Sequence, residues 1–111
     1  MRLISQGKRA NVPYEKVTLY IMDNIAINPK TKEQKRVYSI VANGIQLAFY
    51  TTKKQADKVF EDIISTAIAN EQECYYFELD NEIKDVSCWM SLSEYMEITG
   101  EDNEENKGRY M

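Results

Sequence analysis

Residues 36–51 read RVYSIVANGIQLAFYT, two alternating apolar runs, Arg36 to Ala42 and Ile45 to Thr51, around Asn43-Gly44. Asn-Gly is the pair best able to adopt the positive φ angles of a two-residue type I′ turn, so a β-hairpin is predicted. Such a turn sets the register. Ala42 is expected opposite Ile45, Ile40 opposite Leu47 and Tyr38 opposite Phe49, all six on one face that forms core. The other face would carry Val41 with Gln46, Ser39 with Ala48 and Val37 with Tyr50. It is too apolar for open solvent and too small and polar for a deep core. It would pack on another strand of the chain, or on a second subunit or a ligand.

A helix is expected next, because Thr52 can cap free backbone N–H groups while Gln55 reaches back in a capping box. Ala56, Val59, Phe60, Ile63, Ile64, Ala67 and Ile68 then recur at intervals of three and four, an apolar stripe that would dock on the sheet. Lys58 and Asp62 are spaced to pair across the opposite face. Upstream, Leu3-Ile4 opens a short apolar stretch, and Tyr14 to Met22 alternates as a strand with Val17, Leu19 and Ile21 on one face. Asp23-Asn24 suggests a turn before a brief strand at Ile25 to Ile27, and Asn28 to Thr31 reads as a loop. Downstream, Tyr75, Phe77 and Leu79 would share one strand face, and Asp80-Asn81 suits a turn. Val86 to Met90 reads as a short strand. Ser91-Leu92-Ser93-Glu94 opens a second capped helix, with Gly100 placed to end it.

This order predicts an α+β fold: an antiparallel meander and hairpin sheet packed by one main amphipathic helix, with a short C-terminal helix. At 111 residues the chain forms one domain, expected over 1–99, followed by an acidic mobile tail over 100–111.

No histidine is present, which removes catalytic triads and zinc sites built on that residue. The four glycines are isolated, with neither GxGxxG nor GxxxxGK[ST] to cradle phosphates. Asp80, Glu82 and Asp85 lack the spacing of a calcium loop. A non-enzyme without metal or other cofactor is the expectation. Cys74 and Cys88, fourteen residues apart, match no redox or zinc motif and read as reduced thiols. The opening MRLISQGKRANVPYEK lacks a signal peptide's apolar run, and no window approaches the roughly eighteen apolar residues of a membrane span. A cytoplasmic protein with no membrane partner is expected.

The net charge of −4 hides a division. Residues 1–60 carry +7 and residues 61–111 carry −11. The basic residues are spread over loops and strand ends rather than gathered in a stripe, which argues against direct DNA binding. Eight tyrosines, three phenylalanines and one tryptophan offer stacking surfaces for a nucleobase, and Arg or Lys would hold its phosphates. The candidate ligand contacts are Arg36, Tyr38, Tyr50, Tyr75, Phe77, Trp89 and Arg109. Tyr38, Phe49 and Phe77 also suit the core.

Four stretches, in order, carry a resemblance: Met1 to Gln6, Val12-Pro13-Tyr14-Glu15, Tyr50 to Ala56, and Tyr75-Tyr76-Phe77 before Asp80-Asn81-Glu82-Ile83. Together they resemble small phage and prophage proteins of Gram-positive bacteria over residues 1 to about 85. Gly7-Lys8-Arg9 stands where those proteins usually have an Asp-Gly turn, and Glu78 where they have a proline. The resemblance implies a phage protein acting in the cytoplasm of a bacterial host. It is similar in build to Thoeris anti-defence sponges, which would make it a homo-oligomer that sequesters a cyclic ADP-ribose-type signal without cleaving it. The acidic half suggests an alternative, an inhibitor of a host defence protein such as a CRISPR effector, imitating nucleic acid.

Overall fold

The hairpin forms about its Asn-Gly turn, with Asn43 at φ 50° and Gly44 at φ 85°. The computed structural model describes residues 1–100. Its strands are β1 (Arg2–Ile4), β2 (Asn11–Pro13), β3 (Leu19–Ile27), β4 (Gln34–Ala42), β5 (Ile45–Tyr50), β6 (Cys74–Tyr76) and β7 (Met90–Ser91). Two α-helices accompany them, α1 (Lys53–Ala69) and α2 (Leu92–Thr99). A four-stranded antiparallel sheet has the order β5-β4-β3-β7, and a three-stranded sheet the order β2-β1-β6. The fold is α+β, with one main helix and one short one. In the smaller sheet β1 runs antiparallel to β2 and parallel to β6.

The hairpin register follows the expectation for one step beyond the turn and then departs from it. Ala42 faces Ile45 and Val41 faces Gln46, but Leu47 is an extra residue, so Ile40 faces Ala48, Ser39 faces Phe49 and Tyr38 faces Tyr50. The expected pairs Ile40–Leu47 and Tyr38–Phe49 are corrected by this bulge. One inserted residue exchanges the faces of everything after it. Ala48 and Tyr50 turn toward α1, Phe49 turns away, and Ile45 remains 43% exposed at the turn. Gln6 satisfies the edge of the bulged strand: its backbone N–H donates to Leu47 O at 2.9 Å, and its side-chain Oε1 accepts from Phe49 N at 2.7 Å.

β3 is continuous where a turn at Asp23-Asn24 is expected from sequence, because both residues find cross-strand partners. Arg36 donates to the Asp23 carboxylate, and Ser39 Oγ donates to Asn24 Oδ1 at 2.7 Å. The alternation predicted from Tyr14 begins only at Leu19, since Tyr14–Lys16 is a 3-10 turn following Pro13. Residues 86–88 likewise form a 3-10 turn rather than a strand, leaving only Met90–Ser91 to pair with β3.

α1 starts as predicted, with Thr52 Oγ1 accepting from Gln55 N at 3.2 Å. Ala56, Val59 and Ile63 are buried with Ile40, Leu47, Tyr50, Leu3 and Tyr75 in the main core. The far edge of the stripe reaches past the sheet, and Ile68 is 80% exposed. Asp62 accepts from the Tyr75 hydroxyl at 2.6 Å, and the i,i+4 ion pair on α1 joins Lys53 to Asp57. Tyr75 and Phe77 are buried edge to face, whereas Leu79 is exposed because the strand ends at Tyr76.

The other sheet face is covered largely by the same chain. Ala26, Val37 and Phe49 pack with Ile83 and Trp89, and half-buried Val86 closes the cluster. α2 is capped at Ser91, whose Oγ accepts from Glu94 N at 3.2 Å, and ends at Gly100 with φ 73°. The acidic tail predicted beyond Gly100 lies outside the described residues.

Candidate functional site

The tight turn after β1 is built by Ser5, whose Oγ accepts from the backbone N–H of Arg9 and Ala10 at 3.2 and 3.0 Å. Lys8 takes φ 59° within it. That turn meets the C-terminal segment at Gly7, where an added Cβ would lie 3.4 Å from Ser87 Cα. Trp89 Nε1 donates to Lys84 O at 2.9 Å, which fixes the indole over the outer sheet face. Between turn, sheet and α2 lies a cleft of about 680 Å³. Its apolar surface comes from Met22, Leu47, Phe49, Trp89 and Met90, and its polar side chains include Arg9, Gln46, Glu94 and Glu97.

Two electrostatic features distinguish this cleft. Arg9, Glu94 and Glu97 are exposed and form no ion pair among the described residues, so charges of both signs border the cleft. Gln46 Oε1 is buried without a hydrogen-bond partner among the described residues. An unsatisfied buried acceptor costs about 1–3 kcal/mol, so it is rare in settled core. A second hollow of about 750 Å³ lies across the Gly7–Ser87 contact and is bordered by Lys8, Lys84, Asp80 and Asp85.

The residues expected to contact a ligand are dispersed. Tyr50, Tyr75 and Phe77 share the core under α1. The Tyr50 hydroxyl donates to Glu78 O at 2.8 Å, and its burial, reinforced by Glu78 and Tyr75, pushes its pKa far up. Burial and the bond to Asp62 do the same for Tyr75. Tyr38 is half-buried against that core. Arg36 lies outside it, its guanidinium held by Asp23 at 2.5 Å, and this bond lowers the Asp23 pKa and raises that of Arg36. Arg109 is outside the described residues. Of the described members of the set, Trp89 alone borders the cleft.

Arg9, Gln46, Glu94 and Glu97 are absent from the sequence-based set. One signal for them is legible: Gln46 is a lone long amide in an otherwise apolar strand. Asp80 is buried, but its carboxylate serves the fold, accepting from Thr51 N, Thr51 Oγ1 and Glu82 N at 2.7–2.8 Å. Burial alone would raise its pKa, yet those bonds outweigh it and hold the group below the usual carboxylate value. Cys74 and Cys88 are free thiols. Among the described residues no cluster of His, Cys, Asp or Glu has the geometry to hold a metal, and no helix is long and apolar enough to cross a membrane. No family model, no curated protein and no solved structure matches this chain.

Proposed function

We propose that this is a non-catalytic binding protein whose cleft takes a nucleotide-type ligand. The cleft between turn, sheet and α2, bordered by Arg9 and by Gln46, whose Oε1 has no partner among the described residues, carries this reading. Met22 and Met90 supply accessible apolar surface for a base, Arg9 supplies a cation for a phosphate, and no histidine is needed for binding alone. The resemblance to small phage proteins gives this binding a purpose: sequestering a cyclic ADP-ribose-type immune signal in the cytoplasm of a bacterial host. A homo-oligomer fits the same reading, since Tyr20, Met22 and Ile45 stay exposed near the open end of the sheet. A monomeric mass at micromolar concentration would remove that part of it.

The test is the melting temperature of the protein against cyclic ADP-ribose isomers and cyclic di- and trinucleotides. A ligand at 100 times its Kd stabilises by about 2.7 kcal/mol, worth roughly 4–8 °C per kcal/mol in a domain near this size. A flat panel would overturn the binding reading.

The acidic half favours a second reading, inhibition of a host defence protein such as a CRISPR effector. Residues 61–85 hold eight acidic side chains and one basic one, Lys84, and Glu61, Asp62 and Glu78 border a groove beside exposed Tyr76. Converting the four acidic residues of 101–105 to amides would weaken such an inhibitor and leave a nucleotide binder intact.

A further inference from the structure

The outer strands of the two sheets are short or covered, with one exception. Gln6 takes up the outer edge of β5, β2 is three residues long and ends in Pro13, and β6 is also three residues long. β3 runs for nine residues, yet β7 pairs only with Ala26 and Ile27 at one end of it. Asn28 N donates to Glu33 O at 2.9 Å and Asn43 N donates to Thr18 O at 3.2 Å, so in this unbroken register the even-numbered residues of β3 exchange bonds with β4. The backbone N–H and C=O groups of Leu19, Ile21, Asp23 and Ile25 therefore point outward, and among the described residues no strand pairs with them. Leu92, Ser93 and Met96 of α2 stand beside Ile25, which leaves residues 19–23 as the open edge.

We propose, resting on the homo-oligomer part of the reading above and not on its ligand, that residues 19–23 pair antiparallel with the same residues of a second copy. Ile21 is the middle of that stretch, so a two-fold axis sets it opposite itself and sets Leu19 opposite Asp23 of the second copy. These outward residues exchange about six backbone bonds and join the two four-stranded sheets into one. Tyr20 then meets Met22 of the second copy in the intervening pairs, where side chains approach most closely. Both are exposed, at 38% and 37%, and a ring against a thioether is a favourable contact. Charge admits a second copy as the occupant: residues 17–22 carry none and Asp23 is held by Arg36, so two such edges meet without like charges opposed. The stretch also lacks the Pro, Lys or bulge with which natural edges avoid pairing. Because Met22 borders the cleft, the pairing brings Tyr20 of the second copy to its rim.

Sedimentation equilibrium of the full chain at micromolar concentration should give a dimer. Tyr20→Lys together with Met22→Lys sets like charges across both pairs and should weaken the dimer roughly a hundredfold, whereas Tyr20→Glu with Met22→Lys sets opposite charges across them and should recover roughly tenfold of that loss. Amide exchange of the wild-type protein needs no variant to fold. The Ile21 and Asp23 amides should exchange slowly in the dimer and faster on dilution, while those of Tyr20 and Met22 stay slow through their bonds to β4. A monomer overturns this inference together with the homo-oligomer part of the reading, and leaves the ligand part standing. A dimer that keeps its affinity with the paired lysines, that is lost equally in the opposite-charge variant, or that exchanges Ile21 rapidly overturns this inference alone.

Discussion

The two faces of the four-stranded sheet are closed in different ways. Under α1, Ile40, Leu47, Tyr50, Ala56, Val59 and Ile63 are almost entirely removed from water, and a helix of 17 residues supplies the cover together with Leu3 and Tyr75 of the smaller sheet. On the outer face, Ala26, Val37 and Phe49 are covered by residues 83–91, a segment with one 3-10 turn and a two-residue strand. The pairing of β7 with β3 and a few polar contacts hold that cover and the adjoining α2: Asp80 to Thr51, Trp89 to Lys84, and the Lys32 ammonium against Tyr95, 4.8 Å from its ring centroid and donating to its hydroxyl. The periodic cover seals the centre of its face. The irregular cover leaves a cleft at the hairpin end, bordered by Gln46, whose Oε1 has no partner among the described residues.

The largest expected effect tests the sealed face. Ile63→Ala should destabilise by about 3–4 kcal/mol in urea denaturation, because a fully buried side chain leaves a cavity that the helix cannot collapse. Trp89→Ala should cost less, about 2–3 kcal/mol, since the segment can open while the sheet and α1 remain folded. Hydrogen exchange separates the two: Trp89→Ala should speed exchange in residues 83–99 first, and uniform loss of protection would abolish the contrast.

Asp80→Asn should cost about 2 kcal/mol at pH 7, because the carboxylate accepts three bonds. Its folded pKa lies below its unfolded value, so its contribution is present above about pH 4 and is lost as pH falls through the folded value. The gap between wild-type and variant urea midpoints should therefore close below about pH 4; a constant gap would assign the loss to packing. Gly44→Ala, at φ 85°, should cost about 1 kcal/mol by straining the hairpin turn that both faces share. At the small end, Arg36→Ala should leave the urea midpoint unchanged within error, since its bond to Asp23 is largely exposed. For Tyr75, which is buried, Tyr75→Phe is the informative variant: it removes the bond to Asp62 and keeps the ring.

How far each face was legible depended on how local its signals were. Asn43-Gly44, the Thr52 and Ser91 caps and the closing Gly100 behave as read, because each acts within four residues of itself. The Leu47 bulge left no such mark. It depends on Gln6, forty-one positions away, to take up the edge of the strand, so the faces of Ala48, Phe49 and Tyr50 came out reversed. Asp23-Asn24 has turn chemistry, yet Arg36 and Ser39 bond to it across the sheet and keep the strand intact.

Aromatic count was a poor guide to the cleft for a related reason. Tyr50, Tyr75 and Phe77 have the stacking surface a ligand site would use, but burying that same surface under α1 stabilises the fold. Sequence alone determined the α+β class, the capped helices, the hairpin turn and the absence of histidine chemistry, since these rest on composition and on contacts a few residues apart. Tertiary structure alone decided the strand faces beyond Leu47, the parallel pairing of β1 with β6, and the meeting of Arg9, Gln46, Trp89 and Glu94 around one cleft. Those outcomes join residues tens of positions apart, and the free energy that selects them exists only once the chain has closed.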